Sequence, residues 1–173
     1  MSRRMSKALG LLMGGFTCAV LMGGTGQAQL LDRKAISLAE AKKMVAAAMA
    51  EAVKNKWQMA VVVADEHGTP IVLERMDGVQ LGSVGIAEGK AKTSALLRRP
   101  TKALEDAVTG NPGATPPAPP RNVVLALFPG ITPVGGGLPL FNGDQIMGAI
   151  GCSGGTAAQD EQVCKAGVDA MGK

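Results

Sequence analysis

The stretch Arg75–Thr101, RMDGVQLGSVGIAEGKAKTSALLRRPT, constrains the fold more than any other part of the chain. It leaves a strand at Arg75, turns at Asp77-Gly78 and reads as a helix from Ser83, the expected cap, to about Arg98, where Pro100 stops it. Gly85, Ala87, Gly89, Ala91, Ser94 and Ala95 make this a helix of small side chains. A glycine inside a helix costs about 1 kcal/mol relative to alanine. Such a helix makes sense where something approaches its backbone closely: a sheet, another subunit or a flat ligand. Tight packing on a sheet is by itself a sufficient reason. The stretch lies between a hairpin and a later run of strands, so it is the expected crossover between two halves of one sheet.

Upstream, Ser37-Leu38-Ala39-Glu40 has the form of a capping box. Apolar residues at 38, 41, 44, 45, 48, 49, 52 and 53 then mark one face of a helix ending near Asn55. Met59–Ala64 is an unbroken apolar run, expected as a buried strand, and Pro70–Met76 is the second strand of a hairpin turning at Asp65-Glu66-His67-Gly68. Thr101 is the expected cap of a short helix, Lys102 to Val108. Residues 110–120, GNPGATPPAPP, form neither helix nor ladder and read as a stiff surface loop. Asn122–Phe128 is expected as the third strand, extended by Ile131–Val134, with Leu138–Phe141 as the fourth and Gln145–Cys152 as the fifth. Asn142-Gly143 predicts a type I′ turn between the last two. Thr156-Ala157-Ala158-Gln159 is a second capping box, opening a helix to about Met171. Hairpin-linked strands give an antiparallel sheet, so the expected class is α+β, a single domain on a five-stranded antiparallel sheet. A parallel dinucleotide-binding sheet is excluded, because no GxGxxG follows a strand and βα alternation is missing.

Residues 1–28 have a basic start, an uncharged run from Ala8 to Gly24 and a small-residue ending, Thr25-Gly26-Gln27-Ala28. That is the pattern of a secretory signal peptide cleaved after Ala28, leaving a domain over 29–173 in the periplasm or outside the cell. The run is too short and too rich in glycine for a spanning helix, so no stable membrane span is expected after processing. Losing Arg3, Arg4 and Lys7 lowers the formal charge from +4 to +1, which removes the argument for a nucleic-acid or anionic-membrane partner. Aromatic residues make up 2% of the chain, which argues against binding nucleic acid by base stacking. Cys152 and Cys164 remain. An even number of cysteines in an exported chain favours a disulfide, with two buried free thiols as the alternative. A helix folding back over its own strand brings the two to similar heights.

Six segments, VVADEHG (62–68), RMDG (75–78), IAEGKAKTS (86–94), RPT (99–101), GGLPL (136–140) and GAIGCSGGTAAQD (148–160), resemble in that order the GlcG/HbpS family of haem-binding proteins, related to the C-terminal domain of PduO-type proteins. The resemblance covers about Ser37 to Met171. It implies a profilin-like fold with helices on both faces of the sheet, a symmetric homo-oligomer, and haem as ligand, with a corrinoid as the alternative. For some exported members it implies redox sensing through a sensor kinase or redox partner. Iron ligation in the family is ascribed to threonine or histidine, which points to Thr93, Thr101 and His67, with Met76 as a soft alternative. Lys90 and Arg75, with Lys92, Arg98 and Arg99, are the expected cations for the propionates. Family members commonly carry Val and Ala at the positions of Cys152 and Cys164. The joint change to cysteine in an exported chain strengthens the disulfide.

The leading expectation is thus an exported, non-catalytic haem- or tetrapyrrole-binding protein, in storage or redox sensing. One alternative is a small-molecule enzyme using Asp65, Glu66, His67 and Arg75 as an acid–base set. Another is an oligomeric accessory protein without a cofactor.

Overall fold

The central strand, β1 (Ala60–Asp65), is buried on both faces. Side chains alternate along a strand, so Val61 and Val63 join one core with Met44, Val45, Leu140, Ile150 and Val163, while Ala60, Val62 and Ala64 join a second with Ala87 and Ala91. Burial on both sides explains why the run is apolar without alternation. In this computed structural model, which describes residues 32–172, β1 pairs antiparallel with β2 (Pro70–Arg75) and with β4 (Gln145–Ser153). β3 (Gly137–Asn142) pairs with β4, so the sheet order is β2-β1-β4-β3. The signal-peptide reading of residues 1–28 lies outside the described residues.

Helices α1 (Leu38–Lys54) and α4 (Ala157–Ala170) cover the first core, and α2 (Ser83–Leu97) covers the second. The expectation of helices on both faces therefore holds. Helix α2 lies backbone against backbone on β4: a Cβ added to Gly151 would collide with the Ala87 carbonyl and sit 2.6 Å from Ala91 N. Short α3 (Thr101–Thr109) follows α2. The bridge between Cys152 of β4 and Cys164 of α4 is formed, with Cα atoms 5.7 Å apart. Among the described residues no helix is long and apolar enough to cross a membrane.

The sheet has four strands, not five. The expected strand Asn122–Phe128 is instead a 3₁₀ helix, Val123–Leu127, resting on α3 and stopped by Pro129-Gly130; Ile131–Val134 does not extend a strand. Its backbone starts on α3, where the Ala107 carbonyl accepts from both Arg121 N and Asn122 N, and not in a ladder with any strand. Valine-rich composition favours a strand only where a pleated, half-buried surface receives it. Three local expectations also change. Gly82, not Ser83, is the N-cap of α2, and Ser83 is buried as the first helical residue. Thr101 is the first residue of α3 rather than its cap. In the β3–β4 turn Gly143 takes the first central position with φ 59°, while Asp144 is not left-handed; this matches type II′ rather than I′.

Candidate functional site

The face of α2 turned away from the sheet carries Gly85, Glu88, Gly89 and Lys92, spaced three or four residues apart on one side. These residues form the floor of an open cleft of about 400 Å³. Gly68 and Pro70 of the β1–β2 hairpin line one wall, and Gly130 and Thr132, from the segment between the 3₁₀ helix and β3, line the other. At Gly85 no heavy atom lies within 4 Å of where a Cβ would be, so the floor there is bare backbone facing open space. Gly68 (φ +79°) packs onto the helix at Lys92: an added Cβ would lie 2.7 Å from Lys92 Cγ and 2.9 Å from its Cα. The lysine stem is thereby pinned at the wall while the residue as a whole stays exposed. Among the described residues, neither the Lys92 ammonium nor the Glu88 carboxylate has a hydrogen-bond or ion-pair partner.

The six candidate binding residues are not brought together. Lys90 is on the opposite, sheet-facing side of α2 and is 1% exposed. Its Nζ lies 2.6 Å from Asp160 Oδ2 on α4 and donates to the Cys152 carbonyl at 3.0 Å. Asp160 Oδ1 accepts from Gly155 N, so each member of this buried pair is also hydrogen-bonded to backbone. Thr93 and Thr101 are completely buried and hold backbone: Thr93 Oγ1 accepts from Thr132 N at 2.8 Å, and Thr101 Oγ1 accepts from Gly137 N at 2.9 Å. Met76 packs against the first core, and its sulfur accepts from Met59 N at 3.3 Å. Arg75 is exposed and pairs in register with Ala60. That places it at the far end of β2 from the hairpin turn, about 17 Å along the strand from Pro70. His67 is at the turn, next to the cleft residue Gly68, with its side chain 75% exposed and Nε2 3.7 Å from Glu66 Oε1. Asp65, Glu66 and His67 therefore cluster while Arg75 stands apart. The Asp65 carboxylate is used in the turn itself, accepting from His67 N and Thr69 N.

Among the described residues the two perturbed titrations lie away from the cleft. Glu51 on α1 is held below its ordinary value of 4.5 by hydrogen bonds from Gln162, Asn55 and Lys54, in that order of size. Lys102 on α3 is raised above 10.5 by its bond to Asp106, which outweighs the cost of burial.

A glycine-floored cleft on this scaffold can be set beside known proteins. The family described as "Haem degrading protein HbpS-like" matches residues 36–169. The chain belongs to the HbpS-like family. It is 38% identical to the protein GlcG of Escherichia coli K12 over 113 residues, 65% of this chain and 77% of that protein. The crystal structure of HbpS superposes with a TM-score of 0.74 at 27% identity, covering 84% of this chain and 96% of that one. The PduOC:haem complex superposes with a TM-score of 0.69 at 28% identity, covering 80% and 96%. The resemblance read from the six sequence segments is thus confirmed.

Gly68, Pro70, Glu88, Gly130 and Thr132 were not singled out as site residues from sequence. The helical period held part of the signal. Positions 85, 88, 89 and 92 fall on one side of α2 and 83, 87, 90, 91 and 94 on the other, which already separates Lys92 from Lys90. The wall at 130–132 left no comparable trace, since it depends on where the expected third strand goes.

Proposed function

We propose that this HbpS-like protein binds haem on the outward face of α2. The observation that carries the reading is the bare glycine floor at Gly85, beside an unpaired, pinned lysine at Lys92. Backbone without side chains admits a planar macrocycle, and Lys92 is placed to meet a propionate. The haem found with the PduOC relative supports the same ligand class. His67, at the rim of the hairpin wall, is the candidate axial donor. Thr93, Thr101, Met76 and Lys90 serve the fold instead. When bound, haem supplies the redox-active iron; the chain supplies the flat surface, the cation and the imidazole. The cleft's one ammonium, one carboxylate and one hydroxyl suit holding a ligand rather than transforming it. The buried disulfide fits an oxidising compartment, which supports export of the chain. Storage or redox sensing is the role that such a surface-accessible site would serve.

Hemin titration followed by visible absorbance tests the reading. The native protein is expected to shift the Soret band saturably, Gly85→Leu to lose that shift by filling the floor, and His67→Ala to move the band maximum. A corrinoid titrated in parallel tests the alternative tetrapyrrole. Equal responses from the native protein and Gly85→Leu would remove the cleft as the site. Cleft-dependent bleaching of the band under peroxide would replace binding by the degradation for which the family is described.

Val123, Val124, Leu127 and Phe128 are 53–79% exposed and lie within six consecutive residues. A patch of this kind supports assembly into a homo-oligomer. Size-exclusion chromatography with light scattering is expected to give a defined oligomer, and Leu127→Glu to reduce it to smaller species.

A further inference from the structure

The cleft wall formed by residues 128–134 is attached to the body of the protein in an unusual way. Among the described residues its hydrogen bonds are local with one exception: Phe128 N donates to Leu125 O of the preceding 3₁₀ helix, Ile131 N to Phe128 O and Val134 N to Thr132 O. The exception is Thr132 N, which donates to the buried Thr93 hydroxyl at 2.8 Å. Beyond this segment the chain is held again, by Glu105 Oε2 on Gly135 N, by Cys152 N on the Gly136 carbonyl and by Thr101 on Gly137 N, but these all lie past the cleft. Directly below the wall, Thr132 rests on Gly89: a Cβ there would collide with the Thr132 hydroxyl and lie 3.2 Å from Thr132 Cβ. The segment is therefore seated on a glycine and tied by one side chain.

We infer that Thr93 is a positioning residue for the ligand: its hydroxyl ties the 128–134 wall to α2 and so fixes the width of the cleft above Gly85 and Gly89. This rests on the haem reading of the cleft. It assigns Thr93 a part that does not involve touching iron, because the hydroxyl is fully buried and already accepts the Thr132 N–H. Thr93→Val keeps the shape and deletes the acceptor, which leaves a wall amide without a partner. Thr93→Ser keeps the acceptor.

The test combines two readouts on the full chain. In the absence of ligand, amide exchange at Thr132 is expected to speed up about tenfold in Thr93→Val, the scale of one lost buried hydrogen bond, while Gly137 remains protected. With hemin as probe, affinity is expected to fall by about the same factor, with the Soret maximum of the complex unchanged, and Thr93→Ser to restore both. Thr132→Pro deletes the donor from the wall side and covers the case in which Thr93→Val does not fold; it should weaken hemin binding in the same way. Unchanged exchange at Thr132, equal loosening of Gly137, or a displaced Soret maximum in Thr93→Val would each overturn the inference, the last by making Thr93 a ligand. If the native protein binds no hemin, the haem reading falls, and the tether alone is judged by the exchange at Thr132.

Discussion

Lys90 is expected from sequence as a ligand-binding cation, and in the structure it is paired inside the protein. A lysine among small residues on a ligand-facing helix invites pairing with a propionate, yet its ammonium reaches past the end of the sheet to Asp160 and ties α2 to α4. Lys90→Met leaves the Asp160 carboxylate buried without its counter-charge, which costs about 3–5 kcal/mol. Urea unfolding should show this as a large drop in midpoint. The double variant Lys90→Met/Asp160→Leu should recover most of it, since a buried pair replaced by apolar groups is often close to neutral. A single variant as stable as the native protein would mean that the pair adds nothing to the fold. The position was legible in retrospect from helical period alone, whereas its partner was not, because 70 residues separate the two and only the folded sheet end brings them together.

At the scale of elements, Gly85 and Gly89 look equivalent in the sequence and are opposite in the structure. Gly85 faces open space, so Gly85→Ala should stabilise α2 by about 0.5–1 kcal/mol. Gly89 supports Thr132, so Gly89→Ala should lose stability despite its better helix propensity. Thermal melts of the two variants, moving in opposite directions, check this. The α1–α4 contact carries a pH dependence. Glu51, held below its ordinary value, accepts from Gln162 of α4 at 2.7 Å. A carboxylate whose folded value is depressed stabilises above its ordinary pKa and loses that contribution as pH falls through the folded value. The stability difference between the native protein and Glu51→Gln should therefore be full at neutral pH and shrink below about pH 4.5; a constant difference down to pH 3 would contradict it. The elements themselves were mostly readable. Both caps with a hydroxyl were found, although Glu40 completes no box and instead accepts from Gly172 N, while Thr156 and Gln159 do bond reciprocally. The strand expected over Asn122–Phe128 is a 3₁₀ helix because strand propensity carries no information on whether a sheet edge is within reach, and here the preceding backbone is committed to α3.

For the whole molecule, the antiparallel α+β architecture with α2 as crossover followed from hairpin signals and from the small residues of α2, which Gly151 explains by direct backbone contact. The disulfide closes a separation of 12 residues and joins the last helix to the sheet. Its removal in Cys152→Val/Cys164→Ala should cost about 3 kcal/mol, and a reducing agent should lower the melting temperature of the native protein but not of the variant. The central claim, that haem lies on the outer face of α2, is tested most directly by paramagnetic broadening of backbone amides on adding ferric haem. The account predicts loss of the Gly68, Gly85, Gly89 and Thr132 signals, while amides of α1 and α4 on the other face of the sheet stay sharp. Broadening centred on α1 or α4, with the α2 glycines untouched, would contradict it.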